Sequence, residues 1–229
     1  MVRQQHQRAV SRLPAARGQF TFFDYPGAVS TLATGINDAG LIVGFSGDLY
    51  DRGFVYDGTT FTPVRPGNRT RTFLYGINNA GEIVGGAGNP YFTDPFAARG
   101  DHFKALSFPG QHVYAYATGI NNFGTVVGWD DYHGYVYSHG QVKQIDFPGP
   151  QQTLAWGIND GGVIVGYYAE GGSDFGFALL NGNFASFGYP GVRATAAYGI
   201  SPSGQLVGAY TDDFITYHGF VTSPIAEAP

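Results

Sequence analysis

Two segments of the chain place carboxylates and a histidine close together. Residues 130–133 read Asp-Asp-Tyr-His, and residues 212–218 also begin with two aspartates and end in histidine. Imidazole and carboxylate groups can form an acid–base pair, bind a divalent cation or hold a metal-bound hydroxide. The pattern predicts catalytic roles for His133, His218, Asp131 and Asp213. It predicts metal-ligand roles for His112, Asp130 and Asp212.

A purely structural role explains the same residues. Their spacing matches no established metal-ligand motif, and aspartates in loops commonly form solvent-exposed turns. The sequence also contains no nucleophile elbow, phosphate-binding loop, zinc-protease helix motif or cysteine. A covalent serine hydrolase, a nucleoside triphosphatase and thiolate chemistry are therefore not supported. Both interpretations of the acidic loops stay open.

Aromatic side chains indicate a second kind of site. Tyrosine or tryptophan stands directly before a recurring Gly-Ile pair at three places, and Trp129 follows a recurring Val-Gly pair. Aromatic rings with a few polar anchors bind sugars and flat organic molecules. The predicted ligand-binding residues are Tyr75, Trp129, Tyr132, Trp156, Tyr198, Gln152 and Arg193. Packing between repeats would explain the aromatic residues equally well.

Charge composition limits the partners. The 229 residues contain 12 Lys and Arg against 17 Asp and Glu, and four of the arginines lie within the first 17 residues. The remainder carries 8 basic and 17 acidic residues, a formal charge of about −9. Because nucleic-acid binding depends on Lys and Arg at phosphates, DNA and RNA are not expected partners. No apolar run is long enough to predict a membrane span or a signal peptide.

An internal repeat must position these residues. The motif Gly-Ile-Asn, or Gly-Ile-Ser in the last copy, begins at residues 35, 76, 119, 157 and 199, at steps of 41, 43, 38 and 42. A Val-Gly pair follows each copy and a Pro-Gly pair precedes it. Self-similarity at this period indicates five stacked or radially arranged units.

Each unit is predicted to be a four-stranded antiparallel meander. Residues 36–44 read as strand, turn and strand, because Asn37 suits the first turn position and Gly40 the left-handed fourth. A third strand follows, and a tight turn such as Asn181-Gly182 leads to the fourth. One aromatic residue recurs at the start of the third strand and is expected in the core, at Phe54, Phe96, Tyr135, Phe177 and Phe220.

Such units predict an all-β fold, a five-bladed β-propeller. The fifth unit ends at residue 223 without a fourth strand, while residues 19–27 resemble a fourth strand without its own unit. The N-terminal strand is therefore expected to complete the last blade and to close the ring. The predicted divisions are a disordered lead-in at 1–18, the propeller at 19–223 and a tail at 224–229. We expect a monomer.

The repeat resembles the HAF-type extracellular repeat of bacterial proteins. The resemblance lies in the Gly-Ile-Asn turn, the Gly-apolar-Val-Gly strand and the Gly-Phe strand that follows, and it spans about residues 19–223. It implies a β-propeller in an extracellular or periplasmic bacterial setting. The family has no established catalytic motif to transfer to this chain.

Function is expected at one end of the disc. The first-to-second and third-to-fourth turns are short and uniform, whereas the second-to-third loops and the connections between units vary and hold most polar side chains. We call the variable end the top face and the uniform end the bottom face, and rigid scaffolds commonly carry function on such variable loops. His102 and His139 fall in bottom-face turns and are expected to play no part.

Two specific functions fit these patterns, beside a third interpretation in which the protein is an interaction platform with no small ligand. The first is binding of a saccharide or another small organic molecule in a single site at the top-face channel mouth. The second is a hydrolase acting on ester, phosphoester or glycosidic bonds, or a lyase, that uses the top-face His and Asp residues and allows a divalent metal. Five equivalent sites would need similar top-face loops, and the loops differ, which favours one central site.

Overall fold

The structure is a computed structural model that describes residues 21–47, 51–108, 113–149 and 152–225. Within these ranges the chain forms β-strands and no helix. The first unit contains β1 (Thr31–Ile36), β2 (Ile42–Ser46), β3 (Arg52–Tyr56) and β4 (Phe61–Val64). The second contains β5 (Arg71–Ile77), β6 (Ile83–Asn89), β7 (Phe92–Arg99) and β8 (His102–Ala105).

The remaining three units repeat this order. The third contains β9 (Tyr116–Ile120), β10 (Val126–Trp129), β11 (Gly134–Ser138) and β12 (Gln141–Ile145). The fourth contains β13 (Gln152–Ile158), β14 (Ile164–Glu170), β15 (Ser173–Leu180) and β16 (Asn183–Phe187). The fifth contains β17 (Ala194–Ile200), β18 (Leu206–Thr211) and β19 (His218–Val221). Consecutive strands of a unit pair antiparallel, and one parallel pair, Asp174 with Ala194, joins the last two units. The expected four-stranded antiparallel meander is confirmed in the first four units.

The turn after each first strand has the predicted geometry. The Asn37 side-chain oxygen accepts the N–H groups of Ala39 at 3.1 Å and Leu41 at 3.0 Å. Gly40 has φ of 80°, in the left-handed region that glycine adopts without strain. The equivalent glycines of the other units, at 81, 124, 162 and 204, have φ between 76° and 83°.

The same asparagine also joins neighbouring units. The Asn37 amide donates to the backbone oxygen of Asn78 at 3.1 Å, and the amide of Asn78 donates to that of Asn121 at 3.2 Å. Asn121 donates to Asn159 at 3.2 Å, and Asn159 donates to Ser201 at 3.3 Å. These residues form a relay of buried or part-buried hydrogen bonds that crosses all five units.

The glycines before the relay let the first strands approach closely. A β-carbon placed on Gly35 would lie 3.5 Å from Cα of Gly76, and one on Gly76 would lie 3.4 Å from Cα of Gly119. The corresponding distance is 3.2 Å from Gly119 to Gly157 and 3.2 Å from Gly157 to Gly199. We call this series the glycine stack. A side chain at its inner positions would push two backbones apart.

The parallel pair joins the last two units into one seven-stranded sheet, and each of the first three units forms a four-stranded sheet; below, sheet means the strands of one unit. An apolar layer fills each of the four gaps between successive units. Three of the recurring third-strand aromatics are buried members of these layers, Phe96, Tyr135 and Phe177, and Phe220 packs against the last layer. Phe54 is fully buried as predicted, but it lies under Tyr25 and Phe61 on the first sheet and not between two units. Phe96 is also buried, whereas Phe220 in the last unit is half-buried.

The series of sheets is open on one side. Val43, Val84, Val127 and Val165 hold equivalent positions on the second strands and are fully buried, but Val207 of the fifth unit is 48% exposed. Ile36 of the first unit is 65% exposed. A β-carbon on Gly199 would meet within 4 Å only an atom of Val207, in its own sheet. Among the described residues, the faces of the fifth and first sheets therefore do not cover each other.

The expected closing strand is not formed by the described part of the N-terminal segment. Residues 21–25 lie outside any strand, and their rings pack on the first sheet, with Phe23 4.8 Å from Tyr56 and Tyr25 5.7 Å from Phe54 between centroids. Residues 1–20 and 226–229, which include most of the predicted lead-in and tail, lie outside the described residues. No described strand pairs with the edge of β19 opposite β18. Closure of the ring at five stays a prediction.

Two equivalent glycines test whether the series is open. Gly119→Ala should lower the free energy of unfolding by about 1–3 kcal/mol, because the methyl group would meet the backbone of Gly157 and Trp156. Gly199→Ala should change it by less than about 1 kcal/mol, because no neighbouring sheet is in contact there. Urea denaturation of both variants measures the difference. Equal destabilisation would show that the fifth sheet packs on the first.

Candidate functional site

Aromatic side chains from all five units form one connected series beside the glycine stack. The ring centroids are 5.8 Å apart for Phe45 and Tyr75, and 5.7 Å for Tyr75 and Tyr116. The series continues through Trp129 to Trp156 and Tyr198, at 4.9, 5.8 and 5.3 Å. Phe73 contacts both Phe45 and Tyr116. We call this set the aromatic wall: Phe45, Phe73, Tyr75, Tyr116, Trp129, Trp156 and Tyr198.

The repeat explains how the wall assembles. Tyr75, Trp156 and Tyr198 all precede the glycine of the stack, so the close approach of the first strands brings their rings together. Tyr75 and Trp156 belong to units two apart, yet their centroids are 6.1 Å apart, which shows that the first strands converge. At the same position Thr118 instead donates to the backbone oxygen of Ala155 at 2.7 Å. Gly86 leaves the room that the Tyr116 ring occupies, since a β-carbon there would lie 2.5 Å from that ring.

The wall differs from the core in exposure. Its residues are all half-buried except Tyr198, which is 43% exposed, whereas the third-strand aromatics of the first four units are buried. Rings that only filled the gaps between units would be buried like Phe177. Each ring of the wall is therefore at least partly exposed.

The two tryptophans carry unpaired donors. The indole Nε1 atoms of Trp129 and Trp156 are buried and have no hydrogen-bond partner among the described residues. An unpaired buried donor costs about 1–3 kcal/mol, so these two positions reduce the stability of the fold.

Charged side chains lie near both ends of the wall. Asp51 Oδ2 is 2.7 Å from Arg71 Nε, and Asp51 is buried. The contact is an ion pair without good hydrogen-bond alignment, because neither atom has a well-oriented partner. The Arg71 guanidinium also lies 5.8 Å from the centroid of Phe73. Near the other end, Asp174 is close enough to influence the phenols of Tyr167 and Tyr198.

Ionisation is disfavoured along the wall. Burial raises the pKa of Tyr75 well above its ordinary value, and the neighbouring Tyr116 and Asp51 act in the same direction. Burial also raises the pKa of Tyr116 and of Tyr198. The pKa of Asp174 is raised by burial as well. The phenols therefore stay neutral and available as hydrogen-bond donors at neutral pH.

The predicted histidines have separate sets of partners. His133 Nδ1 lies 3.0 Å from Asp146 Oδ2 and 3.0 Å from Gln144 Nε2, on the outer strands of the third unit. His218 stacks on Tyr210, with 5.2 Å between centroids. These partner sets share no residue, so the structure gives no direct link between the two histidines. His112 lies outside the described residues.

The predicted aspartates bind backbone N–H groups, Asp130 in its own loop and Asp131 in the connection that precedes its unit. Asp130 accepts the N–H groups of Tyr132 and His133, and also the Tyr135 hydroxyl at 3.0 Å. Asp131 accepts the N–H groups of Val113 and Tyr114 at 2.7 and 3.2 Å.

Asp213 also accepts backbone N–H groups, those of Ile215 and Thr216 in the loop of the fifth unit. Hydrogen bonds from the backbone of Thr216 and Ile215 lower the pKa of Asp213 to about 2, which makes it a poor general base. Asp212 is exposed beside it. Within the described ranges, no three His, Asp or Glu side chains lie close enough to hold a metal ion.

The predicted ligand-binding residues fall into three places. Tyr75, Trp129, Trp156 and Tyr198 are brought together in the wall. Tyr132 and Gln152 instead line a top-face cavity of about 620 Å³ between the third and fourth units. Arg193 lies 5.0 Å from the ring of Phe214, in the last unit.

Sequence reasoning missed Asp51 and Asp174 as site residues. Both stand three residues before the core aromatic of a third strand, Phe54 and Phe177. This shared offset was a usable signal, because three other units carry Thr93, Tyr132 and Tyr217 at the same place.

The raised pKa of Tyr75 predicts the pH dependence of stability. The folded-state pKa of Tyr75 lies above the ordinary value near 10, so the folded state binds the phenol proton more tightly than the unfolded state does. The contribution of this proton to the free energy of unfolding is complete below pH about 10 and is lost as the pH rises through the folded-state pKa. Tyr75→Phe should therefore match the parent at pH about 8 and be more stable at pH about 11. Urea denaturation at both pH values measures this, with Tyr91→Phe at an 82% exposed ring as the control. A parallel loss of stability in the parent and in Tyr75→Phe would contradict it.

Comparison with known proteins identifies the fold. The chain is similar to a catalytically inactive variant of virginiamycin B lyase from Staphylococcus aureus with quinupristin, at a TM-score of 0.51 and 9% identity, over 86% of this chain and 71% of that one. It is also similar to a putative gluconolactonase, at a TM-score of 0.50 and 12% identity, over 77% and 70%. A six-bladed fucose-recognising lectin from Aleuria aurantia gives a TM-score of 0.45 and 11% identity, over 84% and 72%.

No protein-family model and no curated protein matches the chain. The resemblance to the HAF-type repeat therefore stays a prediction. No helix in the described ranges is long and apolar enough to cross a membrane. At these identities the likeness to solved structures shows the fold alone: the chain has an all-β, propeller-like fold.

Proposed function

We propose that the protein is a binding module that holds a saccharide or another small, flat organic molecule in one site on the aromatic wall, at the top face of a five-bladed propeller. The observation that carries this proposal is the partial exposure of a connected aromatic surface to which all five units contribute. Sugar rings and flat organic molecules stack on such surfaces, and a few polar groups fix their orientation.

Polar groups for that purpose flank the wall. The neutral phenols of Tyr75, Tyr116 and Tyr198 can donate hydrogen bonds. The ion pair of Arg71 with Asp51 lies near one end of the wall, and Asp174 lies near the other. A donor-rich aromatic surface suits a ligand with many acceptor oxygens, as saccharides have.

The differences between units favour one site. Only the second, fourth and fifth units have an aromatic residue before the stacked glycine, and only the first and third have threonine there. A multivalent protein with one site for each unit would repeat the same residues. We expect the protein to act as a monomer, without nucleic-acid partners, in the extracellular or periplasmic setting that the HAF-type resemblance implies.

Loss of one wall tryptophan tests the proposal. Trp156→Ala should weaken saccharide binding about tenfold or more, since truncation of a central aromatic contact typically has that effect. The probes are a panel of mono- and oligosaccharides, and the readout is intrinsic fluorescence, because the only two tryptophans both lie in the wall. Phe123→Ala, at a 76% exposed ring in a bottom-face turn, is the matched control and should bind like the parent. Unchanged binding by Trp156→Ala would contradict the proposal.

The second candidate function is a hydrolase or lyase that uses His133. One observation favours it, the 3.0 Å pair of His133 and Asp146, because a carboxylate that orients an imidazole is typical of general bases. A divalent metal belongs to this alternative only, and the described residues form no cluster for one.

His133→Ala separates the two functions. Under the binding proposal the variant keeps ligand affinity and loses about 1 kcal/mol of stability or less, since the pair is only partly buried. Under the enzyme alternative it loses a factor of ~10² or more in turnover. The assay uses ester, phosphoester and glycoside panels with and without chelator, and His139→Ala on the bottom face is the control. Turnover by the parent that disappears in His133→Ala would overturn the binding-module proposal.

A further inference from the structure

The few cations of this acidic chain are unevenly distributed. After residue 17 the sequence has eight Lys and Arg residues, and four of them lie between residues 52 and 71. These four arginines gather at the top face, where the first and second units meet: Arg52, Arg65, Arg69 and Arg71. The whole chain has a formal charge of −5, so this group of arginines is a positive patch on a negatively charged molecule.

Three of the arginines line a cleft of about 260 Å³. Its walls are formed by Asp51, Arg52, Arg65, Arg69, Thr70 and Thr72. We call it the arginine cleft. Its volume suits a single compact group, such as a carboxylate, a phosphate or one sugar ring.

Two of the four arginines already have partners. Arg71 pairs with the buried Asp51 at 2.7 Å, and Arg69 pairs with Asp94 at 2.8 Å. Among the described residues, no carboxylate lies within ion-pair distance of Arg52 or Arg65. Four arginines against two aspartates leave a formal charge of about +2 around the cleft.

The cleft adjoins one end of the aromatic wall. Asp51 belongs to the cleft and is close enough to raise the pKa of Tyr75 and Tyr116 in the wall. Arg71, which pairs with Asp51, lies over the ring of Phe73. A ligand bound on the wall can therefore place one substituent among the arginines.

We infer that the arginine cleft binds the oxyanion of the ligand, a carboxylate or a phosphate, so that the preferred ligands are uronic acid saccharides or sugar phosphates and not neutral sugars. The inference rests on the proposed function. Guanidinium groups bind both oxyanions through paired, charge-assisted hydrogen bonds. Because Arg71 neutralises Asp51, the charges of Arg52 and Arg65 remain for the ligand.

The test compares acidic and neutral ligands on matched variants. Calorimetric titrations use galacturonate oligomers, a hexose phosphate and the corresponding neutral hexose oligomers, with the full chain. Arg52→Gln and Arg65→Gln should each weaken binding of the acidic ligands about tenfold and leave neutral ligands unchanged. Arg99→Gln is the control, because Arg99 lines a bottom-face cavity of about 290 Å³. The relative affinities of galacturonate and the hexose phosphate decide between the two oxyanions.

Inorganic phosphate separates failure of this inference from failure of the proposed function. Phosphate alone should raise the melting temperature of the parent and of Arg99→Gln, but not that of Arg52→Gln or Arg65→Gln. Phosphate stabilisation of this kind without binding of any saccharide would support the cleft and contradict the proposed function. Equal affinity for acidic and neutral saccharides, or unchanged acidic-ligand binding in both variants, would overturn the inference.

Discussion

The close contact of the first strands at the glycine stack is the constraint on which the rest of the structure depends. Only a residue without a β-carbon allows the backbone of Gly157 to lie as close to Gly119 as it does. The Asn relay then joins the same strands through amide hydrogen bonds, for example from Asn121 to Asn159. Because both features belong to the Gly-Ile-Asn motif, the repeat itself sets the distance between sheets. The residue before each glycine lies on the same first strand, so the close approach of these strands also brings the aromatic rings at that position into contact.

Much of this could be predicted from the sequence because it depends on local geometry. The left-handed turn glycines, the capping asparagines and the buried third-strand aromatics follow from residue type and spacing alone, as with Gly40, Asn37 and Phe54. The wall tryptophans were also predicted, because their place in the repeat is regular. The described residues do not close the ring at five, because residues 21–25 pack their rings on the first sheet.

The charged part of the site could not be predicted in the same way. Asp130, Asp131 and Asp213 resemble catalytic residues in sequence, but nearby backbone N–H groups occupy their oxygens. Asp51 and Arg71 are separated by 20 residues and meet only because the top of the third strand in one unit reaches the first strand of the next. The offset from Phe54 marks the place of Asp51 in the repeat, but the sequence contains no pattern that assigns Arg71 as its partner, because the pair forms between units.

A contact between the fifth and first units would differ in energy from the four contacts between successive units that the structure contains. Its two faces are apolar, with Val207 and Ile36 both exposed, so joining them would remove apolar surface from water. The relay ends at Ser201, whose hydroxyl bonds locally with Ser203 and lacks the amide that every earlier unit uses to reach its neighbour. A closing contact would therefore lack one buried hydrogen bond, worth about 0.5–1.5 kcal/mol. Tyr198, the most exposed ring of the wall, lies in this last unit. The ring that is most accessible to a ligand therefore belongs to the unit that packs against a neighbour on one side only.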